Sequence, residues 1–141
     1  MVPAIVIDTC VLIAGLRSAR GASYQILQRI GSAEFNLSVS VPLVLEYEAV
    51  AKEHARDLGL TFGDIDDLLD YICSVADPRA IFYLWRPFLP DPRDDLVLEL
   101  AVEANADCIV THNRRDFAGA EQFGIKIVSP GAFLRQLGVA L

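Results

Sequence analysis

Apolar and polar positions along the chain fall into blocks that alternate between the period of a strand and that of a helix. Ala4-Ile5-Val6-Ile7 is apolar without interruption, the pattern of a strand buried on both faces inside a parallel sheet. It stops on Asp8, and an apolar segment, Thr9 to Arg17, resumes at once as a short helix. A turn at Ser18-Ala19-Arg20-Gly21 leads to a second helix with Tyr24, Ile26, Leu27 and Ile30 on one face, closed at Gly31. Phe35 to Val41 alternates apolar with polar residues, which predicts a second strand with one better-buried face, nearer an edge. Pro42 then suits the first position of a long helix through Leu43 to Leu58, ended by Gly59. Gly63 to Val75 predicts another helix, with Asp64, Asp66, Asp67 and Asp70 on its solvated face.

Arg79 to Leu84 reads as the third strand, followed by a loop with Pro87, Pro90 and Pro92. Asp91 suits the N-cap of the next helix with Pro92 behind it, and Asp94, three residues after the cap, suits the reciprocal partner of a capping box. Ala106 to Thr111 and Ile125 to Val128 predict two more short buried strands, the last leading through Ser129-Pro130 into a closing helix to Leu137. Strands alternating with helices throughout predict an α/β fold in three layers, α/β/α, with a central parallel sheet of about five strands. No internal repeat or linker interrupts the pattern, so residues 1–141 are expected to form one domain.

Carboxyl ends of buried parallel strands are where such sheets bind ligands. Asp8 stands at one such end, although an Asp there also suits an N-cap, and that stretch alone does not decide between the two. Glu46 lies in the opening turns of a helix after strand two, beside Leu43-Val44-Leu45, where a buried carboxylate needs a partner or a cation. Of the acidic trio Asp91, Asp94 and Asp95, the first two have local roles in capping. Asp95 has none and is expected to point into the site, with Glu99 one turn further along lining the same mouth. Thr111, Asn113 and Asp116 follow the fourth strand.

Four acidic places converging on one sheet edge, without Cys or His ligands, point to a hard divalent cation, Mg²⁺ or Mn²⁺. The chemistry such a cation supports is phosphodiester hydrolysis. Composition adjusts this picture. The chain is 53% hydrophobic and 22% charged, with no run long enough to span a membrane, and is expected to be soluble and cytoplasmic. Cys10, Cys73 and Cys108 are odd in number and scattered, which suggests reduced core residues rather than disulfides. His54 reads as a solvated helix residue, and His112 stands far from it in sequence. The net charge of −7 opposes nucleic-acid binding. Yet ten of the twelve basic residues are arginines, and Arg17, Arg20, Arg86, Arg93, Arg114 and Arg115 lie near the acidic positions, suited to phosphate contact.

The pattern Asp8-Thr9, Glu46 following Pro42-Leu43, Asp91-Pro92-x-Asp94-Asp95 and Thr111-x-Asn113-x-x-Asp116-Phe117 resembles the PIN-domain family, near its VapC-like ribonuclease toxins, over essentially the whole chain. The resemblance implies Mg²⁺- or Mn²⁺-dependent cleavage of single-stranded or structured RNA, a homodimer, and usually an antitoxin protein as partner. It matches Asp8, Glu46 and Asp95 to the three principal acidic positions, Asp116 to a fourth, and Thr111 to the polar residue beside them. Thr9, Thr111, Asn113, Arg17, Arg93 and Arg114 are then the expected substrate contacts. Two positions depart from the pattern. Cys10 stands where many relatives carry Asn, which bears on a hydrogen bond to Asp8, and Asn113 stands where many carry Asp, which bears on a second metal.

An aspartyl-phosphate phosphatase of the haloacid dehalogenase type also begins from a strand-terminal Asp. It expects a second Asp where this chain has Cys10. A degenerate PIN fold that binds RNA or protein without cutting is the non-enzymatic alternative, favoured by Asn113 and the net charge.

Overall fold

The computed structural model describes residues 2–81 and 88–139. Five parallel strands form one sheet in the order β3-β2-β1-β4-β5, where β1 is Ala4–Ile7, β2 Asn36–Val39, β3 Asp77–Pro78, β4 Cys108–Val110 and β5 Lys126–Val128. The fold is α/β with an all-parallel central sheet, as the alternating blocks predict. β1 is its middle strand. Ile5, Val6 and Ile7 are all at most 2% exposed, and because successive side chains leave a strand on opposite sides, both faces of β1 are covered. Apolar burial of this kind is the main source of fold stability, at about 25 cal/mol per Å² removed from water.

Strand order reverses between β1 and β4, whose registers align Ile5 with Cys108 and Ile7 with Val110. β1 continues leftward to β2 and β3, and β4 rightward to β5, so their connections diverge and leave a crevice beyond the carboxyl ends of β1 and β4. Asp8 follows β1 there, its amide bonded to the Val110 carbonyl at 3.0 Å, and Thr111 follows β4.

Among the described residues the helices are α1 Thr9–Arg17, α2 Ala22–Gln28, α3 Val41–Glu53, α4 Ala55–Leu58, α5 Phe62–Val75 and α6 Pro92–Glu103, with α7 Pro130–Gln136 after the last strand. None of those described is long and apolar enough to cross a membrane. α1 and α2 meet at Gly15, where a Cβ would stand 2.5 Å from Leu27 Cδ1 and 3.1 Å from the Ser23 carbonyl. That closeness seats α1 under the crevice.

Several boundaries differ from expectation for local reasons. The second strand ends at Val39 because Ser40 leaves the ladder to cap α3, its hydroxyl accepting from the Leu43 amide, so Pro42 is the second helical residue and not the first. The long helix expected to reach Leu58 breaks at His54, and Gly59, at φ 69°, closes the short α4 that follows. α5 opens one residue early through a capping box, Thr61 with Asp64, which gives Asp64 a partner instead of a purely solvated role. The third strand joins β2 directly after α5, pairing Asp77 with Ser38 and ending at Pro78, so that Arg79, Ala80 and Ile81 of the expected strand lie beyond it. The remainder of that expected strand, with Arg86 and Pro87, falls among residues 82–87 outside the described residues.

Candidate active site

Asp8 occupies the N-cap position of α1, yet its side chain makes no capping bond. It is instead tied across the sheet. Thr111 Oγ1 donates to Asp8 Oδ2 at 2.7 Å and the Cys10 thiol donates to the same oxygen at 3.3 Å. Thr111, fully buried, also accepts from the Asn113 amide at 3.0 Å, so one hydroxyl fixes both Asp8 and the start of the loop after β4. The alternative that Asp8 serves as a cap is thereby resolved. Its 7% exposure and two donors mark a carboxylate oriented by its neighbours, and both donors fall on Oδ2.

Cys10 supplies the hydrogen bond that its position put in question. Burial, and then the charge of Asp8, push its thiol up to about 11, so the sulfur keeps its proton and remains a donor at neutral pH. The His112 amide donates to the same sulfur at 3.5 Å, and the His112 ring pairs with Ser23 Oγ at 2.9 Å, which ties α2 to this loop.

Glu46 faces Asp8 from α3. Tyr47, the next residue, is buried and donates its hydroxyl to the Ile7 carbonyl, fastening α3 to the end of β1. Burial and the nearby Asp8 charge hold that phenol far above its usual range, so it stays a donor. Thr9 Oγ1 donates to Glu46 Oε2 at 3.3 Å, linking the first residue of α1 to the carboxylate opposite.

These groups line a cavity of about 460 Å³ bordered by Asp8, Thr9, Cys10, Glu46, Asp91, Asp94, Asn113 and Asp116, with Arg17 and Arg93 at its margin. Arg114 is exposed and does not border it. Thr111 lies buried behind it. Asp116 is carried on a 3-10 turn, Arg114–Phe117, whose Phe117 is fully buried and anchors the turn.

The acidic trio on α6 divides differently from the sequence expectation. Asp91 does cap the helix, accepting from the Arg93 amide at 2.9 Å, but Asp94 completes no capping box and borders the cavity instead. Asp95 is fully buried, accepts from the Leu89 amide at 3.0 Å, and does not border the cavity. One residue along a helix turns the side chain by about 100°, so with Asp95 directed inward Asp94 is the one that reaches the crevice. Glu99 is likewise buried and absent from the lining. No amphipathic stripe announces this choice, because α6 buries Asp95, Val97, Leu98, Glu99, Leu100 and Ala101 alike.

Asp94 also reports the electrostatics of the site. Partial burial, followed by the charges of Asp8, Asp91 and Asp116, pushes its carboxyl up to about 7, with Arg93 opposing. Four carboxylates therefore share one field. Among the described residues no three acidic, His or Cys side chains are drawn together as a ready cage. The carboxylate oxygens of that lining, Asp8, Glu46, Asp91, Asp94 and Asp116, are of the kind that suits Mg²⁺ or Mn²⁺, which bind through one or two carboxylates and keep several waters.

Residues 4–115 match the PIN domain family. The chain belongs to that family. No curated protein matches the sequence. Among solved structures, a chain in the crystal structure of VapBC2 from Rickettsia felis bound to a DNA fragment from their promoter superposes with a TM-score of 0.60 at 12% identity, covering 89% of this chain and 98% of that one. The likeness shows the fold. In this PIN domain, then, the acidic cavity lies where strand order reverses, with Asp8 in the middle strand's wake.

Proposed function

We propose that this PIN domain is a Mg²⁺- or Mn²⁺-dependent endoribonuclease of the VapC-like toxin type, which hydrolyses phosphodiester bonds in RNA, works as a homodimer and is restrained by an antitoxin protein. The observation that carries the nuclease reading is the shared field of Asp8, Asp91, Asp94 and Asp116, felt at Asp94, in a cavity that Glu46 completes. The toxin reading rests on the motif resemblance and is supported by the likeness to a VapBC2 chain.

Asp8, Glu46, Asp94 and Asp116 would hold the cation, which when bound supplies a water of lowered pKa and stabilises charge gathering on the phosphate oxygens. The protein's own groups set the stage for that. Thr111 and Cys10 hold Asp8 through Oδ2, Thr9 steadies Glu46, and Tyr47 keeps the two facing elements together. Arg17 and Arg93, at the margin, suit the phosphates on either side of the scissile bond, while Asn113 offers an amide to a 2′-hydroxyl or base edge. Arg114, exposed in the 3-10 turn that carries Asp116, would suit a more distant phosphate.

Incubating the protein with single-stranded RNA and millimolar Mg²⁺ tests the proposal. Cleavage should leave 5′-phosphate and 3′-hydroxyl ends, stop with EDTA, and fall by orders of magnitude in Asp8→Asn and Asp94→Asn. Ends carrying 2′,3′-cyclic phosphate, or cutting that survives EDTA, would refute it. A binding module without catalysis is the second reading, favoured by Asn113 in the lining where a carboxylate would complete the acidic set. That reading predicts RNA binding with no carboxylate-dependent Mn²⁺ affinity.

A further inference from the structure

The cavity is not acidic throughout. Cys10, Ile13, Ala14 and Arg17 recur along α1 at helical spacing, so they share one face of the helix, and all four border the cavity. On the facing helix α3, Glu46 and Val50 stand one turn apart and border it too. Beyond Cys10 and Glu46 both walls therefore turn aliphatic. Ile13 is buried, while Ala14 and Val50 are half-buried and keep surface toward the cavity.

This aliphatic shelf lies between two places suited to phosphate. At one end the carboxylates would hold a cation, and at the other stands the Arg17 guanidinium. The eight residue steps from Thr9 to Arg17 cover about 12 Å of helix, and a helical side chain leans back toward the N-terminus, which shortens the span to the guanidinium. Anion site, apolar surface, anion site is the order of phosphate, base and phosphate along a nucleic-acid strand. Charge gives the direction. Thr9 to Ala33 contain no Asp or Glu, with Arg17 and Arg20 exposed, whereas Asp91, Asp94 and Asp116 border the cavity from other elements. A polyanion meets least repulsion where it leaves over α1.

We propose that Ile13, Ala14 and Val50 form a nucleobase subsite: with one phosphate at the cation, the base of that nucleotide lies on the aliphatic shelf and the next phosphate meets Arg17. The subsite rests on the metal-site reading above. Aliphatic groups touch the face of a base and not its hydrogen-bonding edge, so the shelf itself accepts all four bases.

Adenosine 5′-monophosphate and ribose 5-phosphate, which differ by the base alone, test this on the full chain with Mn²⁺, by calorimetry and methyl NMR. The nucleotide should bind about tenfold more tightly, the effect of removing roughly 55 Å² of apolar surface from water. Its ring current should move the Ile13, Ala14 and Val50 methyl signals, which ribose 5-phosphate leaves in place, and uridine 5′-monophosphate should repeat the shifts. Ala14→Leu fills the shelf with a residue equally suited to a helix. It should abolish the preference for the nucleotide while affinity for ribose 5-phosphate and for Mn²⁺ alone stays within about twofold. Equal affinity of the unaltered chain for the two probes, a preference that survives in Ala14→Leu, or nucleotide shifts that miss these methyls overturns the proposal; the last result would leave the shelf to an apolar side chain of a protein partner. If Ala14→Leu does not fold, the methyl shifts of the unaltered chain decide alone. An unaltered chain that binds neither Mn²⁺ nor ribose 5-phosphate brings down the proposed function as well, an outcome distinct from a missing preference for the base.

Discussion

Replacing Asp94 by Asn should stabilise the metal-free protein, with a gain that grows between about pH 4 and pH 7 and is complete above that. In the folded chain the Asp94 carboxyl is pushed from 3.8 up to about 7 by burial and by Asp8, Asp91 and Asp116. The native state thus holds this proton more tightly than the unfolded chain does. Between about pH 4 and pH 7 the unfolded state releases it first, so each step up in pH costs native stability, and the loss is complete above pH 7. At about 1.36 kcal/mol per pKa unit the whole displacement would amount to roughly 4 kcal/mol. Asp94 is only partly buried, and solvent screening brings the expected gain in Asp94→Asn to about 2 kcal/mol at pH 8. For a chain of this size that is a rise in Tm of roughly 6 °C. Differential scanning calorimetry in EDTA at pH 4 and pH 8 measures it. The gain should vanish at pH 4, where the wild-type carboxyl is already protonated. Adding Mn²⁺ at pH 8 should reverse the order, because a ligand of the native state stabilises only the protein that binds it. A gain equal at both pH values, or a less stable variant at pH 8, would refute the placement of Asp94 in the shared field.

Three further outcomes follow from the same geometry. Thr111→Val should destabilise by about 1–3 kcal/mol in denaturant titrations, because it leaves the Asn113 amide without its acceptor and Asp8 without its shorter bond; a neutral effect would deny Thr111 that double role. Gly15→Ala should cost about 1–3 kcal/mol, since the added Cβ meets Leu27 and the Ser23 carbonyl and forces α1 from α2; an unchanged Tm would mean that the Leu27 side chain gives way freely. Because the Cys10 thiol is held up to about 11, its alkylation by iodoacetamide should rise close to tenfold per pH unit from pH 7 toward that value, followed by mass spectrometry; a rate already saturated at pH 8 would contradict a protonated donor to Asp8.

The sheet was legible because β1 is apolar on consecutive residues, and only a strand covered on both faces needs that. Asp8 was legible for the same reason, as the polar group that ends it. The acidic trio was not. Its pattern satisfies the rules for a helix start so well that Asp91-Pro92 and Asp94 both look employed in capping, and local rules carry no information on an amide six residues before Asp95 in sequence. Helical periodicity could not correct this, since α6 is buried almost all around. At Cys10 the residue type alone does not reveal the bond: burial and the adjacent carboxylate keep the thiol protonated, and that makes it a donor. The edge strand escapes the pattern because Asp77 and Pro78, which pair with Ser38 and Val39, carry no apolar run to mark them.

The same field that raises Asp94 also orders the events at the site. The cavity carries five carboxylates, Asp8, Glu46, Asp91, Asp94 and Asp116, against two guanidinium groups, Arg17 and Arg93, and the chain as a whole has a net charge of −7. A phosphate approaching that wall without a cation meets repulsion at short range and gains little attraction at long range, because exposed charges are screened beyond about 8 Å at physiological salt. A divalent cation inverts the local sign, and Arg17 and Arg93 can then act with it rather than against the carboxylates. On the function proposed above, loading of a metal should precede productive capture of RNA, which an acidic protein would hold where the cation has neutralised its own charge. Asn113 fits this balance. A sixth carboxylate in the lining would deepen the repulsion that the cation has to overcome, while an amide leaves the outer side of the cavity neutral toward the substrate.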